Sequence, residues 1–184
     1  MPELPASHTL TRRRFLTLSA ATLLAAPGLI AARSTGAPRA LSFVHTHTTE
    51  TLFSVTYFRN GGYVPAALAK LNHLLRDFRT GGTHLIDPAL FDVLYDLQVL
   101  ADRDAPYEII SGYRSPATNE MLHNRSNGVA THSLHMEGKA MDIRMTGFSC
   151  RKLRDLALGM RRGGVGYYGT ANFIHLDTGR VRSW

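Results

Sequence analysis

An α+β domain, an antiparallel sheet with helices packed against it, is predicted for this chain by the order of its segments. A strand hairpin opens the domain, two amphipathic helices follow, and two short strands close it after a further strand and helix.

Leu41 to His47 and Thr51 to Phe58 are rich in β-branched and aromatic residues and flank the polar Thr48-Thr49-Glu50. They read as a hairpin ended by Asn60-Gly61-Gly62. The two-residue strand repeat puts His45 and His47 on one face. A second metal site and a simple exposed or packed pair are both open there, although no carboxylate is in register to complete a ligand set.

Val64 to Arg79 carries Leu68, Leu71, Leu74, Leu75 and Phe78 at helical spacing and closes at Gly81-Gly82. Asp87 then caps a second helix with Pro88 at its first position and Leu90, Phe91, Leu94, Leu97 and Leu100 facing inward. Both stripes are core.

Tyr107 to Ile110 is a short strand leading into Ser111-Gly112-Tyr113-Arg114-Ser115, and Pro116 starts a helix reaching Arg125. A glycine-containing loop runs on to Thr131. Ala140 to Met145 alternates as a strand, with Asp142 and Arg144 opposite Met141 and Ile143. Ser149 caps a helix to Arg162 with Leu153, Leu156 and Met160 inward; Gly163-Gly164 ends it. Val165 to Tyr168 and Phe173 to Asp177 are the closing strands.

The first 40 residues stand apart. Thr11-Arg-Arg-Arg-Phe-Leu16 precedes an apolar, alanine-rich run to Ala32, the pattern of an export signal of the twin-arginine type, whose passengers cross the membrane folded. Cleavage is expected between Ala31 and Ala40. An uncleaved anchor is the other outcome, since Phe15 to Ala32 spans 18 residues interrupted by Pro27 and Gly28, marginal for a spanning helix. Residues 41–184 form one domain with one core.

The chain carries a formal +7, but residues from Leu41 onward hold 16 basic and 13 acidic side chains. The basic balance is partly a property of the leader and does not argue for nucleic acid; a mildly basic domain suits an anionic polymer such as cell-wall material. Cys150 is the only cysteine, which excludes an intramolecular disulfide and a cysteine-rich zinc site and reads as a buried thiol.

The chemistry lies in Ser133-Leu-His-Met-Glu-Gly-Lys-Ala-Met-Asp142 and, downstream, Phe173-Ile-His-Leu-Asp177. His135, Asp142 and His175 supply two imidazoles and a carboxylate, a set that holds a catalytic zinc ion with one position open. Spacing alone is weak support for it.

Ser-x-His-x-x-Gly-x-Ala-x-Asp at 133–142, with Ser-Gly-Tyr-Arg-Ser at 111–115 and Phe-Ile-His-Leu-Asp at 173–177, resembles the zinc peptidases related to D-Ala-D-Ala carboxypeptidases and VanX dipeptidases. Leu71-Asn-His-Leu-Leu-Arg-Asp77, Ile86-Asp-Pro88, Gly163-Gly-Val-Gly-Tyr-Tyr168, Asp177-Thr-Gly179 and Trp184 bring it closer to exported murein endopeptidases of the YcbK or MepK type. The resemblance spans essentially everything after Leu41.

It implies that His135, Asp142 and His175 bind Zn²⁺ and that Arg114 is the substrate-binding arginine, placed against the scissile carbonyl or a peptide carboxylate. The implied reaction is hydrolysis of an amide in peptidoglycan peptide stems during cell-wall remodelling, in the periplasm of a Gram-negative bacterium. Several relatives place Glu or His two or three positions before the last zinc-binding histidine, where this chain has Asn172 and Phe173. Asp177 is therefore open to two roles, general base or a carboxylate orienting a ligand, and His132 is a further candidate base. Ser133 reads as a turn residue and Glu137 as solvated. A carboxypeptidase, a noncatalytic zinc-stabilised peptidoglycan-binding module and a structural envelope protein are the competing readings.

Overall fold

The computed structural model describes residues 36–125 and 129–184, so the leader signal read at residues 11–32 lies outside the described residues. The expected hairpin forms as β1 (Arg39–His45) and β2 (Thr51–Arg59), extended by β3 (Gly62–Tyr63). β1 starts two residues before Leu41 because Arg39 pairs with Phe58. The Arg39 guanidinium lies 2.6 Å from Asp92 and 4.2 Å from the centre of the Phe58 ring. It ends at His45, whose Nδ1 accepts the backbone N–H groups of His47 and Thr48 at 3.2 and 3.3 Å and turns the chain out of the strand. His47 stacks on Phe78 at 4.1 Å, so the two imidazoles are a packed pair, with no third metal ligand among the described residues.

Helix α1 (Pro65–Leu74) stops well short of the predicted Arg79. The cause is Asp77, which is 1% exposed and turned back to accept Ser115 N–H at 2.9 Å, Ser115 Oγ–H at 2.6 Å and Arg79 N–H at 2.9 Å. Burial opposes its charge, but hydrogen bonds from Ser115, Thr118 and Arg79 hold its carboxyl well below the usual range. Helix α2 (Pro88–Ala101) follows the prediction: Asp87 accepts Ala89 N–H at 3.0 Å, and Leu90, Phe91, Leu94 and Leu97 are buried. Leu100, predicted inward, is exposed.

β4 (Tyr107–Ser111), α3 (Pro116–Arg125), β5 (Ala140–Met145), α4 (Cys150–Met160), β6 (Gly164–Tyr168), β7 (Phe173–Asp177) and β8 (Arg182–Ser183) complete the domain. Ser149 occupies the N-cap of α4, but its side chain makes no capping bond. All eight strands join one sheet in the order β3-β2-β1-β4-β5-β7-β6-β8. The α+β class is as predicted, while the sheet is mixed: β1 with β4 and β6 with β8 are parallel, and the other neighbours antiparallel. The β1–β4 pairing is parallel because α1 and α2 carry the chain across before β4 enters, the long crossover that parallel neighbours require.

Alternation along the central strands separates core from site. Ile109, Met141, Ile143, Ile174 and Leu176 are fully or almost fully buried in one core with the inner faces of α1, α2 and α4. Asp142, His175 and Asp177 occupy the alternate positions and project from the opposite face.

Candidate metal centre

Asp142 on β5 and His175 on β7 are direct partners across the antiparallel pair, so their side chains emerge side by side. His135 reaches them from a 3-10 turn, Leu134–Glu137, whose Ser133 accepts His135 N–H at 3.4 Å. Gly138 ends that turn with φ 65°, a left-handed conformation, and a Cβ there would run into the carbonyl oxygen of Leu85. Gly138→Ala is therefore expected to cost about 1–3 kcal/mol of stability, from overpacking and backbone strain together, in a chemical-denaturation comparison with the parent. An unchanged midpoint would mean that the turn relaxes freely.

The hydrogen bonds fix which ring atoms face inward. His135 Nδ1 lies 2.7 Å from the Gly112 carbonyl oxygen, which can only accept, so Nδ1 carries the proton and the Nε2 lone pair points to the centre. His175 Nε2 lies 3.0 Å from Asp177 Oδ2, which leaves its Nδ1 facing inward. The inward atoms form a triangle: His135 Nε2 to His175 Nδ1 3.1 Å, His175 Nδ1 to Asp142 Oδ1 3.0 Å, and His135 Nε2 to Asp142 Oδ1 3.3 Å. Ligands about 2.0–2.1 Å from a tetrahedral zinc stand about 3.3–3.4 Å apart, so the triangle is close to one face of such a tetrahedron. Three electron-rich atoms this close repel unless a cation or a proton lies among them. Burial opposes charge on His175, but Asp142 and Asp177 on either side raise its affinity for a proton, while the two histidines hold Asp142 well below the usual carboxylate range. The donor set and its size fit Zn²⁺.

Behind His175, Asp177 is almost fully buried. Its Oδ1 accepts Gly164 N–H at 3.0 Å, Gly179 N–H at 2.8 Å and Arg182 Nη1 at 3.1 Å, while Oδ2 accepts Arg182 Nη2 at 2.7 Å and faces His175. Against burial, these bonds keep Asp177 ionised, and they point its oxygens away from the ligand triangle. Of its two open roles, this arrangement suits orienting His175.

Arg114 is 9% exposed and bonded to the same framework: its N–H donates to the His135 carbonyl at 3.1 Å. Its Nη2 is 3.6 Å from Asp142 Oδ2, its Nη1 is 3.4 Å from Asn119 Oδ1, and its buried Nε has no hydrogen-bond partner. Burial lowers its pKa, while Asp142 opposes the shift. The triangle, Arg114 and His132 line one cleft of about 490 Å³. His132 is exposed on that wall, and Glu137 is paired with Lys139 at 2.8 Å in solvent. Cys150 is buried and donates to the Asn172 carbonyl at 3.3 Å.

Sequence reasoning left several cleft residues without a role. Trp184 lies 5.2 Å from the His175 ring, donates from Nε1 to Tyr168 Oη at 3.0 Å, and occupies the space that a side chain at Gly166 would fill. Arg182 also lines the cleft, while Asn119 and the Gly112 carbonyl support Arg114 and His135 from behind it. No spacing pattern announces them.

The family model described as "Peptidoglycan L,D-endopeptidase MepK" matches residues 33–184, and the chain belongs to that family. It is 46% identical over 176 residues to the peptidoglycan L,D-endopeptidase MepK of Escherichia coli, covering 94% of this chain and 96% of that protein, and equally to that of Shigella flexneri. The probable peptidoglycan L,D-endopeptidase MepK of Haemophilus influenzae is 46% identical over 157 residues, 85% of this chain and 84% of that protein.

Proposed function

We propose that this protein is a zinc-dependent peptidoglycan endopeptidase that hydrolyses an amide between L- and D-configured centres in cross-linked peptide stems. The observation that carries the zinc reading is the triangle of inward lone pairs on His135, Asp142 and His175, with edges of 3.0–3.3 Å. The substrate reading rests on family membership and on the names its relatives carry.

His135 through Nε2, His175 through Nδ1 and Asp142 through Oδ1 hold the ion. When bound, zinc supplies Lewis acidity, bringing the pKa of a bound water toward ~7 and polarising a carbonyl. Arg114, whose guanidinium lines the cleft with Nη2 3.6 Å from Asp142 Oδ2, receives the oxygen that becomes negative as the amide is attacked, or a stem carboxylate next to it. His132 on the cleft wall takes the water's proton and returns it to the leaving amine. Asp177 holds His175 in the tautomer that presents Nδ1.

Asp177→Asn is then expected to weaken zinc binding about 10–100-fold while turnover at saturating zinc stays within about threefold of the parent, read by chelator competition and product formation. Lost turnover at full zinc occupancy would assign the base to Asp177 instead.

A leader of about the first 40 residues precedes the peptidase domain, and cleavage falls upstream of Arg39, which is tied to Asp92 and Phe58. The leader directs twin-arginine export to the periplasm of a Gram-negative cell; among the described residues no helix is long and apolar enough to cross a membrane.

One observation favours a second reading, a noncatalytic zinc-stabilised peptidoglycan-binding module. The positions where relatives place an acid or base hold Asn172, with φ 55°, and Phe173, stacked on Tyr168 at 4.5 Å. Incubating the zinc-loaded protein with purified cross-linked dimers and identifying the products by mass spectrometry separates the readings. Monomers mean endopeptidase and loss of a terminal residue alone means carboxypeptidase. Bound but intact dimers mean a binding module.

A further inference from the structure

Asn119, on α3, is 3% exposed, and its amide is fully used. Nδ2 donates to the carbonyls of Ala130 and Thr131 at 3.1 and 3.2 Å, and Oδ1 accepts from Arg114 Nη1 at 3.4 Å. Only one orientation of the amide works. Flipped, it would set its oxygen against two carbonyl oxygens and its NH₂ against a guanidinium. One neutral side chain thus joins the arginine of the cleft to the backbone segment that leads directly into His132.

The geometry around Arg114 shows why such a tether matters. Its guanidinium stands 3.6 Å from Asp142 Oδ2, close enough for attraction but beyond a good hydrogen bond. In a buried setting a free guanidinium would close onto that carboxylate as a bidentate pair, engaging Oδ1, the oxygen of the ligand triangle, together with Oδ2 and turning its donors away from the cleft. Asn119 Oδ1 is a neutral acceptor on the far side of the fork and opposes this collapse. We infer that Asn119 is a positioning residue, which holds Arg114 off Asp142, its own amide being fixed for that task by the Ala130 and Thr131 carbonyls. This rests on the endopeptidase reading of the cleft.

The test compares the parent protein with Asn119→Ala, the volume-matched Asn119→Leu, Arg114→Ala, and Asn119→Ala combined with Arg114→Ala. Each is measured for kcat and KM on cross-linked dimers, zinc content and unfolding midpoint. The expected result is a fall in kcat/KM of about tenfold or more in both Asn119 variants, carried mainly by kcat, with one equivalent of zinc retained. In the Arg114→Ala background, Asn119→Ala should change kcat/KM less than about twofold, because its effect passes through an arginine that is gone. Activity within twofold of the parent, additive losses, or losses that track zinc content or folding would each overturn the inference. The ¹⁵Nε–H resonance of Arg114, identified by its absence in Arg114→Ala, supplies a readout independent of turnover. It should move in Asn119→Ala, and an unmoved resonance overturns the inference even if the parent cleaves nothing and the endopeptidase reading fails by itself.

Discussion

His135→Ala is expected to lower cleavage of cross-linked muropeptides by about 10³-fold or more, equivalent to about 4 kcal/mol of transition-state stabilisation. The substitution removes one corner of the ligand triangle and leaves a two-ligand site. It also deprives the Gly112 carbonyl of the donor that it meets at 2.7 Å. Zinc stoichiometry should drop well below one equivalent, measured by elemental analysis after gel filtration, in the same preparation whose turnover is assayed. Because the buried Gly112 carbonyl is left without its donor, some stability is lost as well. Circular dichroism at the assay temperature keeps that loss apart from the chemistry. A folded His135→Ala protein that retains stoichiometric zinc and parental turnover would remove this residue from the centre.

Arg114→Ala is expected to lower kcat about 10²–10³-fold at unchanged zinc content, the range found when a donor to a developing oxyanion is removed. Arg114→Lys should recover little of it. A lysine keeps the charge, but it loses the planar fork that spans from Asn119 at one end to Asp142 at the other. Steady-state kinetics on defined dimers separate the two jobs open to the guanidinium. A loss confined to KM places a ground-state carboxylate at Arg114, whereas a loss in kcat places the oxyanion there. Arg114→Ala within about threefold of the parent on both constants would show that the cleft does not use the arginine.

Most of the framework was legible from local pattern. Asp87-Pro88 marked the start of α2 because capping is a contact between neighbours, and Ala140 to Met145 showed its two faces because strand alternation needs no knowledge of the partner strand. That alternation correctly set Asp142 opposite Met141 and Ile143. The end of α1 was not legible. Leu68 to Phe78 keeps helical spacing, and the bonds that break it come from outside the helix: Ser115 to Asp77, Tyr113 N–H to the Leu75 carbonyl and Asp77 N–H to the Gly82 carbonyl. The parallel β1–β4 pair was hidden for a similar reason, since strand composition does not reveal direction.

At the site, the sequence named the residues that meet in the triangle but not what holds them. Asp177 illustrates the limit. Two residues from His175 and on the same strand face, it is equally placed on paper to attack water or to brace a ring. Only the bonds from Gly164, Gly179 and Arg182 reveal which of its oxygens are already engaged. Asn119 carried no sequence signal, because its partners at Ala130 and Thr131 lie 11 and 12 residues further on, a separation at which no single helix or strand brings two residues into contact.

Two side chains on one sheet face, Asp142 and His175, and His135 from the neighbouring turn are proposed to hold a single ion that drives hydrolysis of peptidoglycan cross-links. The most direct measurement is a titration of metal-free protein with Zn²⁺ while dimer cleavage is followed by mass spectrometry. Turnover is predicted to be absent at the start, to rise linearly and to break at one equivalent. Cleavage that proceeds at full rate in the metal-free protein with chelator present, or a protein that takes up one zinc and still leaves every dimer intact, would contradict it.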